Sequence, residues 1–413
     1  MKMRFLPFLL VLLGMTSSVV AQTPDPPRFL LESVVVEGVQ RDAVREIVAA
    51  ESLLQPGREY SEQELREAVY RIKRLPFVMD AELSLRKGRA PGSYQLVITV
   101  EETRLFFYSA DIGAGYDGDD RNAFPGEERI DWGAGAAAGG RWFVGSQGMV
   151  FGSVQGFDTV GPASAQVGYT RYNLFGRGGF ASAALATDVS NENDGELYLG
   201  SFSLGVPIVG NHSLRADLNW YRSTDDFAGQ SYQSDSRNLE LSWIFDTTDD
   251  PLFPTSGTRL TANAGYFDFK QKADGPFFAE RSSSDGYDLG ISGRRHWALT
   301  NRQSVSAELS GSWAESDALI FGGAAKQWTS SAAFGHSMDL WGFEKTERIG
   351  DFRWENTLQI LSAHYDAPFL ARSSSTDARL TTGLAFRNAW GLLRLSFTYV
   401  HNLQQDYDSQ EFP

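Results

Sequence analysis

Charged side chains occur at alternate positions of segments whose other residues are largely apolar, and this spacing puts the charges of one segment on a single face. The residues concerned are Arg215, Asp217, Glu240, Arg259, Glu308, Arg353 and Glu355. Because both signs occur, guanidinium and carboxylate groups on neighbouring segments can form charge-assisted hydrogen bonds. We therefore expect a braced and hydrated network of mixed charge. Structural bracing alone and the additional anchoring of a functional loop are both compatible with this pattern.

Signatures of catalysis, cofactor binding and metal binding are weak. The five histidines lack the spacing of metal ligands, cysteine is absent, and no G-x-S-x-G elbow occurs. Residues 113–118 (GAGYDG) match G-x-G-x-x-G but run into acidic residues instead of a helix start, which argues against a dinucleotide site. We predict a protein that is not an enzyme and holds no cofactor and no metal. A lipolytic barrel with one Ser and one His is the catalytic alternative.

The composition narrows the class of protein further. The chain has 413 residues, a formal net charge of −15, 41 Gly and 13% aromatic residues. A nucleic-acid-binding protein needs a basic face that displaces counterions, so no nucleic-acid partner is expected. The absence of cysteine excludes a disulfide scaffold. Glycine and aromatic residues in so acidic a chain favour many short strands over helices.

The first residues have the pattern of an export signal. Lys2 and Arg4 precede an apolar stretch over residues 5–13, and small residues lead to an expected cleavage after Ala21. The apolar stretch is about half of the ~20 residues that a membrane-spanning helix needs. We predict a signal peptide over residues 1–21, followed by a proline-rich linker over residues 22–27.

Residues 28–103 form a small mixed unit. The predicted order is β-α-α-β-β, with strands over residues 31–37, 78–87 and 93–102 and a first helix over residues 42–51. Ser61 and Glu64 have the spacing of a capping box, in which each side chain bonds the other residue's amide. The second helix is therefore expected to start after Ser61, and Pro76 ends it. The sequence predicts an independent α+β domain.

From residue 104 to the end, small or polar residues alternate with large apolar ones, and no helical period is visible. Residues 214–221, 239–245 and 393–399 show the alternation most clearly. In a soluble sandwich the apolar face fills a core, whereas in a transmembrane barrel it contacts lipid. Aromatic residues at segment ends, such as Trp220 and Trp243, favour the barrel. We predict an all-β transmembrane antiparallel barrel over residues 104–413, with a soluble all-β domain as the alternative.

Segment spacing gives an estimate of the strand number. Fourteen segments are distinct, and two further segments, near residues 323–335 and 404–412, are weaker. Bacterial barrels have an even number of strands, so we expect about 16 strands, with 14 possible. The pairing of the first and last segments is expected to be the weakest seam of the barrel.

The two parts resemble a single POTRA domain joined to the barrel of the BamA/TamA outer-membrane assembly superfamily, which includes two-partner secretion transporters. Residues 34–38 (VVVEG) and 74–78 (RLPFV) resemble POTRA signatures. Residues 246–257 (DTTDDPLFPTSG) resemble the family's mid-barrel turn, whose motif is carried by Asp246, Phe253, Pro254, Thr255 and Gly257. Residues 334–343 resemble the tip of a loop that folds into the lumen, whose motif is Leu340, Trp341, Gly342 and Phe343.

The resemblance implies an outer-membrane protein assembly or translocation factor with its N-terminal domain in the periplasm. Unfolded outer-membrane or secreted clients would add a strand to the POTRA edge, at Val78, Asp80, Glu82 and Ser84. Outer-membrane lipid, lipopolysaccharide and periplasmic accessory proteins are the other implied partners. Trp341 stands where the family usually has an Arg, so the alternative is a divergent pore or structural barrel without client handling.

Overall fold

The computed structural model describes residues 27–117, 130–157, 164–176, 178–188, 196–227, 230–274, 280–317, 324–341, 350–366 and 372–408. The predicted signal peptide and residues 22–26 of the predicted linker lie outside these ranges. No helix within the described residues is both long and apolar enough to span a membrane.

The N-terminal unit is a four-stranded sheet with two helices. Its elements are β1 (Arg28–Glu37), α1 (Asp42–Glu51), β2 (Glu59–Ser61), α2 (Glu62–Lys73), β3 (Val78–Lys87) and β4 (Ser93–Glu102). The strand order is β2-β1-β4-β3, with β1 parallel to β4 and the other pairs antiparallel. The predicted β-α-α-β-β order therefore gains the short strand β2, which three residues are too few to reveal by alternation.

The capping box that the sequence predicts at Ser61 is confirmed. The amide of Glu64 donates to Oγ of Ser61 at 3.3 Å, and the amide of Ser61 donates to Oε2 of Glu64 at 2.7 Å. The helix that follows buries one face against the sheet, and this face consists of Leu65, Ala68, Val69 and Ile72. Two otherwise unpaired amides at the start of α2 are thereby satisfied.

Replacing Ser61 with alanine is expected to destabilise the N-terminal unit by about 1 kcal/mol, because the amide of Glu64 loses its acceptor. The ellipticity at 222 nm during urea unfolding of the full chain measures this loss, since the α-helices of the described residues all lie in this unit. Ser84→Ala is the control, because Ser84 is exposed on a strand and caps no helix. Equal midpoints for the two variants would contradict the capping role.

Fifteen strands of the described residues close into a barrel. The strands are β5 (Phe106–Asp117), β6 (Ile130–Val144), β7 (Gly148–Phe157), β8 (Ser164–Tyr172), β9 (Phe180–Asp188), β10 (Glu196–Val209), β11 (His212–Phe227), β12 (Gln230–Asp246), β13 (Gly257–Asp274), β14 (Glu280–Ala298), β15 (Gln303–Asp317), β16 (Ala324–Trp341), β17 (Asp351–Asp366), β18 (Arg372–Asn388) and β19 (Gly391–Asp408). Neighbours along the chain pair antiparallel, whereas β19 closes the ring by pairing parallel with β5. A parallel closure makes the number odd, so the described residues form 15 strands where about 16, or 14, were expected.

The two weaker segments have different outcomes. The segment near residues 323–335 is a full strand, β16. The segment near residues 404–412 is not a separate strand, because β19 continues through Gln404 and Gln405 to Asp408. The hydroxyl-rich start of β18, residues 373–376, pairs with this polar stretch, so one long hairpin forms where two short strands were expected.

The two faces of the barrel wall differ as the alternation predicts. On β12, Leu239 and Leu241 are 45% and 58% exposed, whereas Ser242 between apolar neighbours is buried at 6%. On the polar face, hydroxyl groups of adjacent strands bond each other, as in Ser304 with Ser337 at 2.7 Å and Ser310 with Ser331 at 2.7 Å. Apolar side chains therefore cover one face of the wall, and hydrogen-bonded polar side chains cover the other.

Candidate functional site at the proximal mouth of the barrel

The N-terminal unit packs against one end of the barrel, here called the proximal mouth. Phe77, which follows α2 and Pro76, is 1% exposed. Its ring contacts Phe143 of β6 at 5.1 Å and Tyr172 of β8 at 5.5 Å between centroids, both edge to face. The apolar core of the N-terminal unit is therefore continuous with an aromatic cluster of the barrel, which also contains Phe151 and Phe180.

Polar contacts fix the same junction. Nη2 of Arg74 donates to Oδ1 of Asp246 at 2.9 Å and to the carbonyl oxygen of Thr248 at 3.1 Å. Nη1 of Arg141, on β6, donates to the carbonyl oxygen of Pro76. The amide of Arg104 donates to the carbonyl oxygen of Ala389 at 2.8 Å. The segment that connects the N-terminal unit to β5 is therefore also bonded to the barrel.

Residues 247–256, here called the mouth turn, connect β12 to β13 at this end. Oδ1 of Asp249 accepts from the amides of Thr255 at 2.9 Å and Ser256 at 3.1 Å. Oδ1 of Asp250 accepts from the amide of Phe253 at 2.7 Å. Gly257 has φ +105°, and a Cβ there would lie 2.3 Å from the carbonyl oxygen of Thr247, so only glycine fits. Aspartates and a glycine thus give the turn one conformation.

The mouth turn reaches across the lumen to strands β17 and β18. Phe253 is 4% exposed, and its ring centroid lies 4.8 Å from Cζ of Arg353 and 4.8 Å from Cζ of Arg387. Nη1 of Arg353 donates to the carbonyl oxygen of Pro254 at 3.2 Å. Strands β14, β15 and β16 separate β13 from β17 in the ring, so the turn crosses part of the mouth. Because the turn contacts Arg353 on the polar face of the wall, this face is the inner one.

Both arginines are charge-paired. Nη1 of Arg387 donates to Oδ1 and Oδ2 of Asp250 at 2.9 and 2.7 Å, and its Nη2 donates to Oδ2 of Asp351 at 2.7 Å. Nε of Arg353 donates to Oδ1 of Asp339 at 2.8 Å. Arg353, Arg387, Phe253 and Asp250 are here called the arginine latch. Cation–π contacts and partly buried ion pairs hold the turn across the lumen.

Acid is expected to release the arginine latch. Burial opposes ionisation of Asp250, but Arg387 and the amides of Phe253 and Leu252 outweigh it and hold the pKa of this carboxyl below its usual 3.8. A carboxyl whose pKa is lower in the folded state than in the unfolded state stabilises the fold at pH values above its unfolded-state pKa. This stabilisation is lost as the pH falls through the folded-state pKa. Bilayer conductance should therefore rise below pH about 4.

Asp250→Asn supplies the matched control for this pH dependence. The amide keeps the size of the side chain but cannot pair ionically with Arg387, so the variant should conduct at neutral pH and respond little to acid. A wild-type conductance that stays flat on acidification would contradict the role of Asp250.

The predicted charge network lies on the inner face of the barrel. Arg215 pairs with Asp217 at 2.7 Å, Arg353 pairs with Asp339, and Glu355 pairs with Arg394 at 3.7 Å. Glu308 pairs with Arg294, and Oε1 of Glu240 accepts from Oγ of Ser242 at 2.8 Å. The side chain of Arg259 forms no ion pair or hydrogen bond with any of the described residues. The pairs are local, within one strand, between adjacent strands or, for Glu355 and Arg394, across the intervening strand β18, except where the latch crosses the lumen.

Two predicted features are placed differently from the expectation. Residues 334–341 are the end of strand β16, paired with β17, so Leu340 and Trp341 do not lie in a loop that folds into the lumen; Gly342 and Phe343 lie outside the described residues. Pairing of β16 with β15 continues to Met338, and its pairing with β17 continues to Trp341 with a register shift between Asp339 and Trp341. Of the glycine pattern, residues 113–117 belong to strand β5 and Gly118 lies outside the described residues.

The proposed strand edge lies where the sheet order ends. β3 is the outermost strand of the N-terminal sheet and pairs with β4. Val78 is 7% exposed, Asp80 pairs with Lys73 at 2.7 Å, and Ser84 is exposed. No cluster of three or more His, Cys, Asp or Glu side chains that suits a metal ion occurs in the ranges that the structure describes.

One family comparison matches part of the barrel, and the comparisons with solved structures give distant similarities. Residues 162–329 match the model of the Omp85 superfamily domain. BamA from Haemophilus ducreyi lacking POTRA domains 1-3 is similar at 12% identity, with 92% of this chain and 83% of that chain covered and a TM-score of 0.45. CdiB from Acinetobacter baumannii is similar at 10% identity, with 87% and 68% covered and a TM-score of 0.39. No curated protein matches. The matched stretch includes strands β8 to β15 in full, so a large part of the closed barrel is similar to the Omp85 superfamily domain.

Proposed function

We propose that this protein is an outer-membrane protein assembly or translocation factor and not an enzyme. In this proposal residues 1–21 direct export, residues 28–103 are a POTRA domain in the periplasm, and residues 104–413 are the barrel. Extended segments of unfolded outer-membrane or secreted clients add to β3 and then pass to the barrel. The match of residues 162–329 to the Omp85 superfamily domain supports the general activity, and the contacts of the proximal mouth support this division of labour.

The observation that carries the proposal is the position of β3. It is a ten-residue strand at the end of the sheet order, and it starts directly after Phe77, which is packed into the proximal mouth. A terminal strand of a sheet can pair through its backbone with an extended segment, which gives affinity with little demand on the client's side chains. A client bound along β3 would therefore lie beside the barrel entrance.

The seam of the barrel supports the second step. Within the described residues, β19 pairs with β5 in parallel from Gly391 to Val400, whereas its antiparallel pairing with β18 continues to Asp408. Parallel pairing is slightly less stable per residue than antiparallel pairing. We infer that this seam opens more readily than the others and that the distal part of β19 pairs with an incoming client strand.

The alternative function, a pore or structural barrel without client handling, is less well supported. The N-terminal unit and the mouth turn both lie across the proximal mouth, and the latch holds the turn there by ion pairs. A permanently open pore has no use for this arrangement, whereas a factor that admits clients on demand needs a mouth that closes. The exposed leucines of the barrel wall suit contact with outer-membrane lipid and the lipid part of lipopolysaccharide.

Site-specific photocrosslinking in the outer membrane tests the proposal. A photoreactive residue at Ser84, on β3, should capture unfolded clients, whereas one at Thr99, which is exposed on the central strand β4, should not. At the seam, Leu403 lies beyond the pairing with β5 and should capture clients, whereas Leu395, which pairs with Ile112, is the control. Capture of no client from Ser84 and Leu403 would favour the pore.

A further inference from the structure

A cavity of about 560 Å³ lies between the N-terminal unit and the inner face of the barrel at the proximal mouth. Four arginines line it: Arg71 and Arg74 from α2, Arg215 from β11 and Arg259 from β13. The lining carboxylates are Glu51 at the end of α1 and Asp246 at the end of β12. Residues from both parts of the chain thus line one cavity, and the proposed function gives this cavity no role.

Two of the four guanidinium groups are already engaged by carboxylates. Arg215 pairs with Asp217 at 2.7 Å, and Arg74 pairs with Asp246 at 2.9 Å. Asp246 also accepts from the amide of Thr248 at 2.9 Å, so its capacity to accept further donors is largely used. The carboxylates of Asp217 and Asp246 are therefore already paired with Arg215 and Arg74.

The other two guanidinium groups have spare donors. Arg259 lines the cavity and is exposed, and its side chain forms no hydrogen bond or ion pair with any described residue. Nη2 of Arg71 donates to the carbonyl oxygen of Ser52 at 2.8 Å, but its Nη1 reaches only neutral oxygens of Gly210 and Asn211, both at 3.5 Å. An arginine presents five N–H donors in a planar fork, so most of these donors remain available.

Glu51 is the other lining carboxylate, besides Asp246. Burial raises the pKa of its carboxyl, and the amide of Gly179 together with Arg71 and Arg74 only partly offsets this effect. The lining of the cavity therefore carries four guanidinium groups and two carboxyl groups.

We propose that this cavity binds an oxyanion, either a phosphate or a carboxylate, through the free guanidinium fork of Arg259 with Arg71 on the facing helix. Planar N–H pairs match the two oxygens of either group, and a carboxylate or phosphate is the ligand that an unpaired arginine fork binds best. The volume admits free phosphate or one or two acidic side chains of a polypeptide. The proposal rests on the cavity and its charges and does not depend on the proposed function.

Isothermal titration of the full chain in detergent micelles tests this inference and separates the two sources. The probes are inorganic phosphate, a blocked diglutamate peptide and, as the uncharged match, a blocked diglutamine peptide. We expect saturable binding of phosphate, of diglutamate or of both, weakening with salt. Arg259→Gln should lower the affinity at least about tenfold, because a hydrogen bond to a charged group is lost.

Arg281→Gln is the matched control, because it removes the same charge from an exposed site near the other end of the neighbouring strand β14. Binding of diglutamate alone would identify a polypeptide carboxylate as the ligand, and binding of phosphate alone would identify the free anion. Three results would overturn the inference: no saturable binding of either anion, diglutamine binding as tightly as diglutamate, or equal losses from the two substitutions. An unchanged far-ultraviolet circular dichroism spectrum of Arg259→Gln, in which the strands of the barrel contribute as well as the helices, ensures that a loss of binding is not a loss of folding.

Discussion

Replacing Arg387 with alanine is expected to free the mouth turn and to raise the ion conductance of the barrel. The substitution removes both hydrogen bonds to Asp250 and one of the two guanidinium groups that flank Phe253. Side-chain exposure is 15% for both members of the Arg387–Asp250 pair, so Asp250 would be left as a largely buried and unpaired charge. Breaking such a pair costs about 3–5 kcal/mol. The turn should therefore leave its position across the lumen.

Single-channel recording in planar bilayers measures this effect, and Arg379→Ala is the matched control. Arg379 lies on the same strand, faces the same lumen and pairs with Asp377 at 3.8 Å, but its side chain is 41% exposed and does not contact the mouth turn. A truncation at this site should change conductance little. If the two variants conduct alike, or if Arg387→Ala stays as closed as the wild type, the arginine latch does not close the mouth.

Replacing Phe77 with alanine is expected to detach the N-terminal unit from the barrel. The ring is almost fully buried and packs edge to face against Phe143 and Tyr172. Truncating a buried phenylalanine costs about 3–5 kcal/mol. Because part of this ring's surroundings belongs to the barrel, much of the loss should fall on the junction between the two parts.

Limited proteolysis of the connection at residues 103–105 measures the detachment, since Arg104 is a trypsin site that the junction holds against Ala389. Phe29→Ala is the control, because Phe29 contacts Tyr94 at 5.4 Å within the N-terminal sheet. Both variants should lose some stability of the N-terminal unit, but only Phe77→Ala should speed cleavage at Arg104. Equal cleavage rates would mean that Phe77 contributes to the domain core and not to docking.

Local features of this fold could be predicted from the sequence because short-range chemistry determines them. The capping box at Ser61 depends on residues three apart, and the alternation along β12 depends on residues two apart. The strand number could not be predicted, because it depends on how β19 meets β5, which are the last and first strands of the barrel. Nothing in either segment alone distinguishes a parallel from an antiparallel closure.

The contacts of the arginine latch could be predicted only in part, for the same reason. The residues of the mouth turn themselves indicate a turn, and the alternation along the sequence places Arg353 on the polar face of its strand. The contact between them joins positions 99 apart in the chain, and the contact of Arg387 with Asp250 joins positions 137 apart. Arg387 was missed, although its alternation with Leu384 and Phe386 on β18 would have placed it on the inner face.

Collisional accessibility of spin labels along β12 tests the arrangement of the barrel most directly. The chain has no cysteine, so cysteines introduced singly at Leu239, Glu240, Leu241 and Ser242 each give one labelled site. In lipid vesicles, labels at positions 239 and 241 should collide mainly with lipid-soluble oxygen, and labels at positions 240 and 242 mainly with a water-soluble nickel chelate. Equal accessibility along the strand, or the reverse alternation, would show that the leucine face does not contact lipid.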